Sequence, residues 1–147
     1  MATKAFSIED GNLSGKTIRA ANTRDYVDID LLFAKRPSGD IYKKREAAAV
    51  KQAVKNLLLT SDTEKPFNPT FGANLNSALF DLDTNYDARE VSDQIANAIT
   101  VHERRANVLS VTVESVPEKN TLRATVEFEV INIGEVVTLE INIARLR

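Results

Sequence analysis

The sequence predicts an α+β fold in two layers, with an antiparallel β-meander and one N-terminal strand packed by two long helices. Three segments after residue 108 alternate apolar and polar residues, a pattern typical of antiparallel strands with one buried face. Two earlier segments repeat apolar residues at spacings of three and four, which is typical of amphipathic helices. Two such helices can cover the apolar face of the meander, which gives a two-layer domain.

The composition limits the class of protein. A length of 147 residues suits one domain with a sizeable core, and a net charge of −2 argues against nucleic-acid binding through a bulk basic surface. Without cysteine there is no disulfide or thiolate metal site, and His102 alone is too few for the usual zinc site. No apolar run approaches the ~20 residues of a membrane span, and the N-terminus lacks a signal-peptide core. We therefore expect a soluble protein made in a cytoplasm, with no nucleic acid, membrane, metal or cofactor bound.

The N-terminal part of the chain divides into an arm and a strand. Residues 1–23 show no period of two or 3.6, which predicts an extended arm, and residues 24–147 are expected to form the single α+β domain. Alternation from Arg24 to Ala34 predicts a strand. Its apolar face is Val27, Ile29, Leu31 and Phe33, and its polar face carries Asp28 and Asp30.

Two helices follow. The first is predicted from Ile41 to Leu59 with Asp40 as its N-cap. The second is predicted from Asp87 to Glu103, where Asp87 and Glu90 resemble a capping box. The predicted apolar positions are Ala47, Val50, Ala53 or Val54, Leu57 and Leu58 in the first helix, and Ala88, Val91, Ile95, Ala98, Ile99 and His102 in the second.

The stretch between the helices combines two prolines and a glycine with two phenylalanines. Pro66 and Pro69 fix their own φ and push each preceding residue toward an extended conformation. Gly72 is the position best able to take a positive φ or to allow close backbone approach. Because a solvated loop has no need of aromatic residues, we predict that Phe67 and Phe71 pack under neighbouring elements.

The meander is predicted from three runs of alternating residues. The inward positions are Leu109, Val111 and Val113 in the first strand, Leu122, Ala124, Val126, Phe128 and Val130 in the second, and Val137, Leu139, Ile141 and Ile143 in the third. Residues 117–120 and 132–135 are the connecting turns.

The sequence shows no catalytic constellation. His102 would have to serve alone in any triad, and no nucleophile elbow, Walker loop or dinucleotide fingerprint occurs. Acids that alternate along a strand, such as Asp28 with Asp30, are more typical of solvated faces than of catalytic or metal sites. The unusual polar feature is Glu103-Arg104-Arg105 at the end of the second helix, which either complements the helix dipole or serves as a recognition element for a partner.

From about Tyr26 onward the chain resembles the gene product 25-like baseplate wedge proteins of contractile-tailed phages, a family related to a type VI secretion baseplate component. The first match is a Pro-Phe-x-Pro-x-Phe-Gly-x-x-Leu pattern, and the second is the family's Glu-Pro-Arg motif, in which Arg104 replaces the proline. The first pattern and the residues after it comprise Pro66, Phe67, Pro69, Phe71, Gly72, Leu75, Leu79 and Phe80.

The resemblance implies a structural virion protein rather than an enzyme, located in the tail baseplate and assembled in the host cytoplasm. It would link the wedge core to the first sheath ring and template sheath assembly by β-strand addition at a free sheet edge. The implied partners are the wedge proteins of the core bundle, the tail sheath protein and tube-proximal baseplate proteins. The residues expected to bind them are Glu103, Arg104 and Arg105 at the helix end, and Leu139, Ile141 and Ile143 in the last strand.

Two alternatives stay open from the sequence. A peptidoglycan-degrading, lysozyme-like tail enzyme would place two carboxylates close together in a cleft. A generic α+β protein-binding module would be a stable monomer without affinity for sheath.

Overall fold

A computed structural model describes residues 26–77, 87–116 and 121–144, so the predicted arm at 1–23 and the turn at 117–120 lie outside the described residues. The elements in chain order are β1 (Val27–Ile29), β2 (Lys43–Arg45), α1 (Glu46–Leu59), α2 (Ala88–His102), β3 (Ala106–Val116), β4 (Thr121–Val130) and β5 (Glu135–Ala144). Neither described helix is long and apolar enough to cross a membrane. Helices and antiparallel strands together confirm the α+β class.

The three C-terminal strands form an antiparallel sheet in the order β3-β4-β5. Its apolar side chains face α1 and α2, and those of the central strand β4 are fully buried. The buried residues of β4 are Leu122, Ala124, Val126, Phe128 and Val130, and those of β5 are Leu139, Ile141 and Ile143. The predicted inward positions of these two strands are confirmed, because strict alternation leaves only one face able to bury apolar side chains.

The first meander strand departs from the prediction at Leu109. Val108 pairs with Phe128 and Ser110 pairs with Glu127, so Leu109 is the extra residue of a β-bulge. The bulge shifts the inward face by one residue, and the Leu109 side chain is 52% exposed. The prediction that Leu109 points into the core is therefore wrong.

The helices supply the second layer. α1 has 14 residues and α2 has 15, each shorter than predicted. Asp87 is the N-cap of α2 as predicted, but its Oδ1 accepts the N–H of Arg89 at 2.9 Å rather than that of Glu90. The residues buried by the two helices are Ala49, Val50, Val54, Leu57 and Leu58 in α1, and Val91, Ile95, Ala98 and Ile99 in α2.

The start of α1 differs from the prediction. Lys43–Arg45 form β2, which pairs antiparallel with β1, so the helix begins at Glu46 and not at Ile41. Asp40 does not cap the helix; its Oδ1 accepts the N–H of Ile41 at 2.8 Å within the hairpin turn. Pairing with β1 outweighs the helical periodicity of residues 41–45, because two paired strands satisfy backbone groups that a frayed first turn leaves to water.

The N-terminal strand is shorter than predicted, and its apolar face is exposed rather than buried. Only Val27–Ile29 form β1, which pairs with β2 in a separate two-stranded sheet. Asp28 lies near Arg105 and Asp30 near Lys44, while the predicted apolar face is exposed. The exposed side chains are those of Val27, Ile29, Leu31, Leu32 and Phe33.

The stretch between the helices confirms one prediction and overturns another. Gly72 has φ +138, and a Cβ built there would lie 2.5 Å from the carbonyl oxygen of Thr60, so both the positive φ and the close approach are real. Phe67, however, is fully exposed at 106%, whereas Phe71 is half-buried against the core. Leu75 is buried, and the predicted motif residues Leu79 and Phe80 lie outside the described residues.

Candidate functional site

The first candidate site is the junction between α2 and β3. Glu103 is the C-cap of α2, and its N–H donates to the carbonyl oxygen of Ile99 at 2.8 Å. The N–H of Ala106, the first residue of β3, donates to the Glu103 carbonyl oxygen at 3.2 Å. Glu103 leaves the helical region, with φ −122 and ψ 84, so the helix ends here without a proline at position 104.

Glu103 and Arg105 form a two-point ion pair. Nε of Arg105 donates to Oε1 of Glu103 and Nη2 donates to Oε2, each at 2.7 Å. The Arg105 backbone N–H donates to the same Oε1 at 3.3 Å. The side chains are 13% exposed for Glu103 and 29% for Arg105. The bonds from Glu103 raise the pKa of Arg105 above its ordinary value, although partial burial opposes the shift.

Arg105 also contacts the N-terminal hairpin and the turn between β4 and β5. Its Nη1 lies 4.0 Å from Oδ2 of Asp28, and its guanidinium carbon lies 5.3 Å from the ring centre of Tyr26. Its carbonyl oxygen accepts the N–H of Ile131 at 3.0 Å. Arg104 is exposed, and no ion pair or hydrogen bond of its side chain occurs among the described residues. Of the three predicted residues, Glu103 and Arg105 therefore bind each other, and Arg104 is exposed to solvent.

A small apolar groove adjoins the junction. It encloses about 320 Å³ between the hairpin, α1 and the end of α2, and its lining includes Asp28, Leu57, Phe71, His102 and Glu103. The rings of Phe71 and His102 lie 5.2 Å apart at a tilt of 58°, and Nζ of Lys65 sits 3.8 Å from the Phe71 ring centre. No pattern in the sequence predicts this Lys65–Phe71–His102 stack, because its members come from two segments whose contact depends on the whole fold.

The second candidate site is the edge of the meander at β5. Among the described residues β5 pairs with β4 alone, in unbroken register from Thr121 with Ala144 to Val130 with Glu135. The side chains of Leu139, Ile141 and Ile143, predicted to bind a partner, lie in the core at 3, 4 and 7% exposure. Contact with a partner at this edge would therefore use the backbone N–H and C=O groups that alternate residues of an edge strand direct outward.

A larger groove of about 750 Å³ runs beside this edge. It lies between the tip of the β1–β2 hairpin, the exposed side of α1 and the middle of β5. Its lining residues are Asp30, Leu31, Leu32, Lys44, Ala48, Lys51, Gln52, Lys55, Asn56, Thr138, Leu139 and Glu140. We name it the α1–β5 groove.

The described part of the chain holds no cluster of three or more His, Cys, Asp or Glu that could bind a metal ion. Of the acids that line the two grooves, Asp30 lies 3.5 Å from Nζ of Lys44 and Glu103 is held by Arg105. Both carboxylates are therefore engaged in ion pairs within the domain itself.

Comparison with known sequences identifies a family. Residues 44–134 match the family model of the baseplate wedge protein gp25. The chain is also 29% identical over 107 residues to the baseplate wedge protein gp25 of Enterobacteria phage T4, a stretch that covers 73% of this chain and 81% of that protein.

Solved structures with the same fold include two baseplate assemblies. A chain of the anti-feeding prophage baseplate aligns with a TM-score of 0.65 at 20% identity, covering 79% of this chain and 92% of its own length. A chain of the type VI secretion baseplate complex aligns with a TM-score of 0.52 at 14% identity, covering 66% and 89%. A Geobacter sulfurreducens protein provisionally named a tail lysozyme aligns with a TM-score of 0.58 at 18% identity, covering 67% and 89%. At these identities the likeness concerns the fold alone.

Proposed function

Because the chain belongs to the family of the baseplate wedge protein gp25, we propose that it is a structural component of a contractile tail baseplate. Its place is then the virion tail, its partners include other baseplate wedge proteins, and its assembly takes place in the host cytoplasm. The role is non-enzymatic. In support, Asp30 and Glu103, which line the two grooves, are each engaged by a cation of the same chain.

Within the baseplate, the protein links the wedge core to the first ring of the sheath and templates sheath assembly. The observation that carries this proposal is the regular edge of β5. An extended segment of a sheath subunit pairs with it, adding a fourth strand to the meander. Main-chain hydrogen bonds supply the attraction in such strand addition, and alternate side chains set the register.

Docking on the wedge core takes place at the junction between α2 and β3. Arg104 supplies an exposed cation to the partner, while the Glu103–Arg105 pair holds the backbone on either side of it. Residues at the centre of an interface need a fixed conformation to bind well, since ordering a loop on binding lowers affinity. We therefore expect Arg104→Glu to leave the domain folded and to prevent its incorporation into wedges, as measured by co-sedimentation with the purified wedge core proteins. Normal incorporation of the variant would show that the junction is not part of the interface.

The absence of cysteine allows a direct test of the β5 edge. Glu140→Cys, labelled with a bulky maleimide, obstructs that edge at a single site. Thr112→Cys is the matched control, because Thr112 pairs with Thr125 and Thr125 pairs with Glu140, which places the two sites at the same height on opposite edges. Each labelled protein is mixed with its cognate wedge proteins and sheath subunit, and sheath tubes are counted by electron microscopy.

We expect tubes to grow from wedges that carry the unlabelled protein or the labelled Thr112→Cys variant, and not from wedges that carry the labelled Glu140→Cys variant. Equal growth with both labelled variants would exclude β5 as the templating edge. Equal growth in the absence of the protein would exclude templating altogether.

A further inference from the structure

The exposed side of α1 presents two lysines to the α1–β5 groove. Lys51 and Lys55 are exposed, lie one helical turn apart and both line the groove. No ion pair engages either of them among the described residues, whereas Lys44 at the groove end is paired with Asp30 at 3.5 Å. Like charges at this spacing repel on a helix surface. An acidic ligand would therefore relieve a weak repulsion between the two lysines.

The acid on the opposite wall does not neutralise these lysines. Leu139 and Ile141 of β5 point into the core toward the helices. Because side chains alternate along a strand, Glu140 between them points to the solvent face of the sheet. The two faces at the β5 edge thus differ in charge: positive on the side of α1 and negative on the side of Glu140.

The hairpin supplies an apolar wall. Leu31 and Leu32 line the groove, and the Leu32 side chain is 81% exposed. The hairpin is fixed to α1 by a hydrogen bond of 2.8 Å from Nε2 of Gln52 to the carbonyl oxygen of Ile29. The N–H of Leu32 donates to Oδ1 of Asp30 at 3.2 Å, which fixes the tip. Exposed leucines in a fixed position suit an apolar contact beside the site of pairing.

From this arrangement we propose that the α1–β5 groove selects an extended polypeptide segment of a partner protein with acidic side chains on the face toward α1. The inference rests on the proposed function, since the segment is the strand that pairs with β5. Ala48 allows its backbone to approach the helix closely.

The spacing of the lysines fits such a segment. Four residues of helix rise ~6 Å, and two residues of strand rise ~6.6 Å. A strand that runs along α1 therefore brings acidic residues at positions i and i+2 to Lys51 and Lys55. Residues of the same strand that face the other way lie beside Glu140, where a basic or neutral polar side chain is preferred, because opposite charges across strands stabilise a sheet and like charges weaken it.

Three fluorescent peptides of equal length test the proposal, one alternating valine with glutamate, one valine with glutamine and one valine with lysine. Their binding to the full chain is measured by fluorescence anisotropy at low salt, with the wild-type protein and with Lys51→Glu/Lys55→Glu. The matched control is Lys35→Glu/Lys43→Glu, which changes the net charge equally at exposed lysines outside the groove.

We expect the glutamate peptide to bind the wild type about tenfold more tightly than the lysine peptide, with the glutamine peptide between them. The order should reverse in Lys51→Glu/Lys55→Glu and persist in the control. The same order in all three proteins would overturn the charge selection while leaving strand addition intact. Binding that survives the labelled Glu140→Cys obstruction, or no binding of any peptide, would overturn both the selection and the pairing at β5.

Discussion

Arg105→Ala tests whether the ion pair at the junction stabilises the domain. The substitution removes two hydrogen bonds of 2.7 Å to Glu103, the contact with Asp28 at 4.0 Å and the cation over the Tyr26 ring. It leaves the Glu103 side chain, 13% exposed, without its cation. The variant therefore loses these bonds and leaves a mostly buried carboxylate with the backbone N–H of residue 105, at 3.3 Å, in place of the guanidinium.

The expected loss lies between two limits. Removing one member of a buried pair costs ~3–5 kcal/mol, whereas exposed pairs contribute ~0–1 kcal/mol. With Arg105 at 29% exposure, we expect a decrease of about 2 kcal/mol in the free energy of unfolding. For a domain of this length that corresponds to a decrease in Tm of roughly 4–8 °C.

The assay is urea and thermal denaturation of Arg105→Ala, Glu103→Ala and the double variant. Because the two side chains contact each other, the losses should be non-additive, with a coupling energy of about 1–2 kcal/mol. Arg105→Lys keeps the charge but has no planar fork for two-point binding, so it should recover only part of the loss. Arg104→Ala, at the exposed neighbouring position, should change stability by less than about 0.5 kcal/mol.

The sign of the pH dependence follows from the raised pKa of Arg105. A base whose pKa is raised by folding contributes stability below its unfolded pKa, and the contribution is lost as pH rises through the folded value. The difference between wild type and Arg105→Ala should therefore be the same at neutral and mildly alkaline pH. A Tm of Arg105→Ala within about 1 °C of the wild type, or fully additive losses, would refute a stabilising role for the pair.

Three further predictions concern stability and use urea denaturation. Gly72→Ala should lower the free energy of unfolding by about 3 kcal/mol or more, since its Cβ would lie 2.5 Å from a carbonyl oxygen. Gly39→Ala, also at positive φ but with nothing within 4 Å, should lower it by only about 1–2 kcal/mol. Equal losses would contradict the close approach at Gly72. Phe67→Ala should change the free energy of unfolding by less than about 0.5 kcal/mol, whereas Phe71→Ala should lower it by about 2 kcal/mol. A large loss for Phe67→Ala would show that the Phe67 side chain is buried in solution. Asp87→Ala should lose about 1 kcal/mol and fray the start of α2, and unchanged stability would mean that its cap contributes nothing.

The sequence predicted best those elements whose buried face follows from the order of apolar and polar residues within the element itself. The inward residues of β4 and β5 follow from alternation alone, because a one-residue slip would place every apolar side chain in water. The N-cap of α2 was likewise predictable, since Asp87 immediately precedes the apolar repeat. Gly72 was identified because few other residues tolerate positive φ beside a crowded backbone.

The errors arise where distant residues decide the structure. Residues 41–45 fit a helical repeat, yet Lys43–Arg45 pair with β1, in which the partner of Arg45 is Val27, 18 residues upstream. A local pattern does not contain this pairing. The apolar alternation of Val27 and Ile29 predicted a buried face, but in the hairpin both residues are about half exposed, and Asp28 lies 4.0 Å from Arg105. The bulge at Leu109 is equally invisible in the alternation, because either register is consistent with the residues before it.

The candidate site was only partly predictable. Glu103 and Arg105 were identified by type and position, but their engagement with each other, and the contacts with Tyr26 and Asp28, depend on the hairpin. The pattern of the first helix did not single out Lys51 and Lys55. Their position in the α1–β5 groove depends on how β5 and the hairpin enclose that side of the helix.

The bulge at Leu109 makes the two edges of the sheet different. A bulge twists an edge and interrupts the regular spacing of its hydrogen-bonding groups, so β3 is a poor surface for a further strand. The opposite edge, β5, keeps an unbroken register with β4 over its whole length. If the protein templates sheath as proposed, a strand would add at β5 and not at β3. Copies of the domain arranged in a ring would then all present the accepting edge in the same rotational direction, which would set the handedness of the first sheath ring.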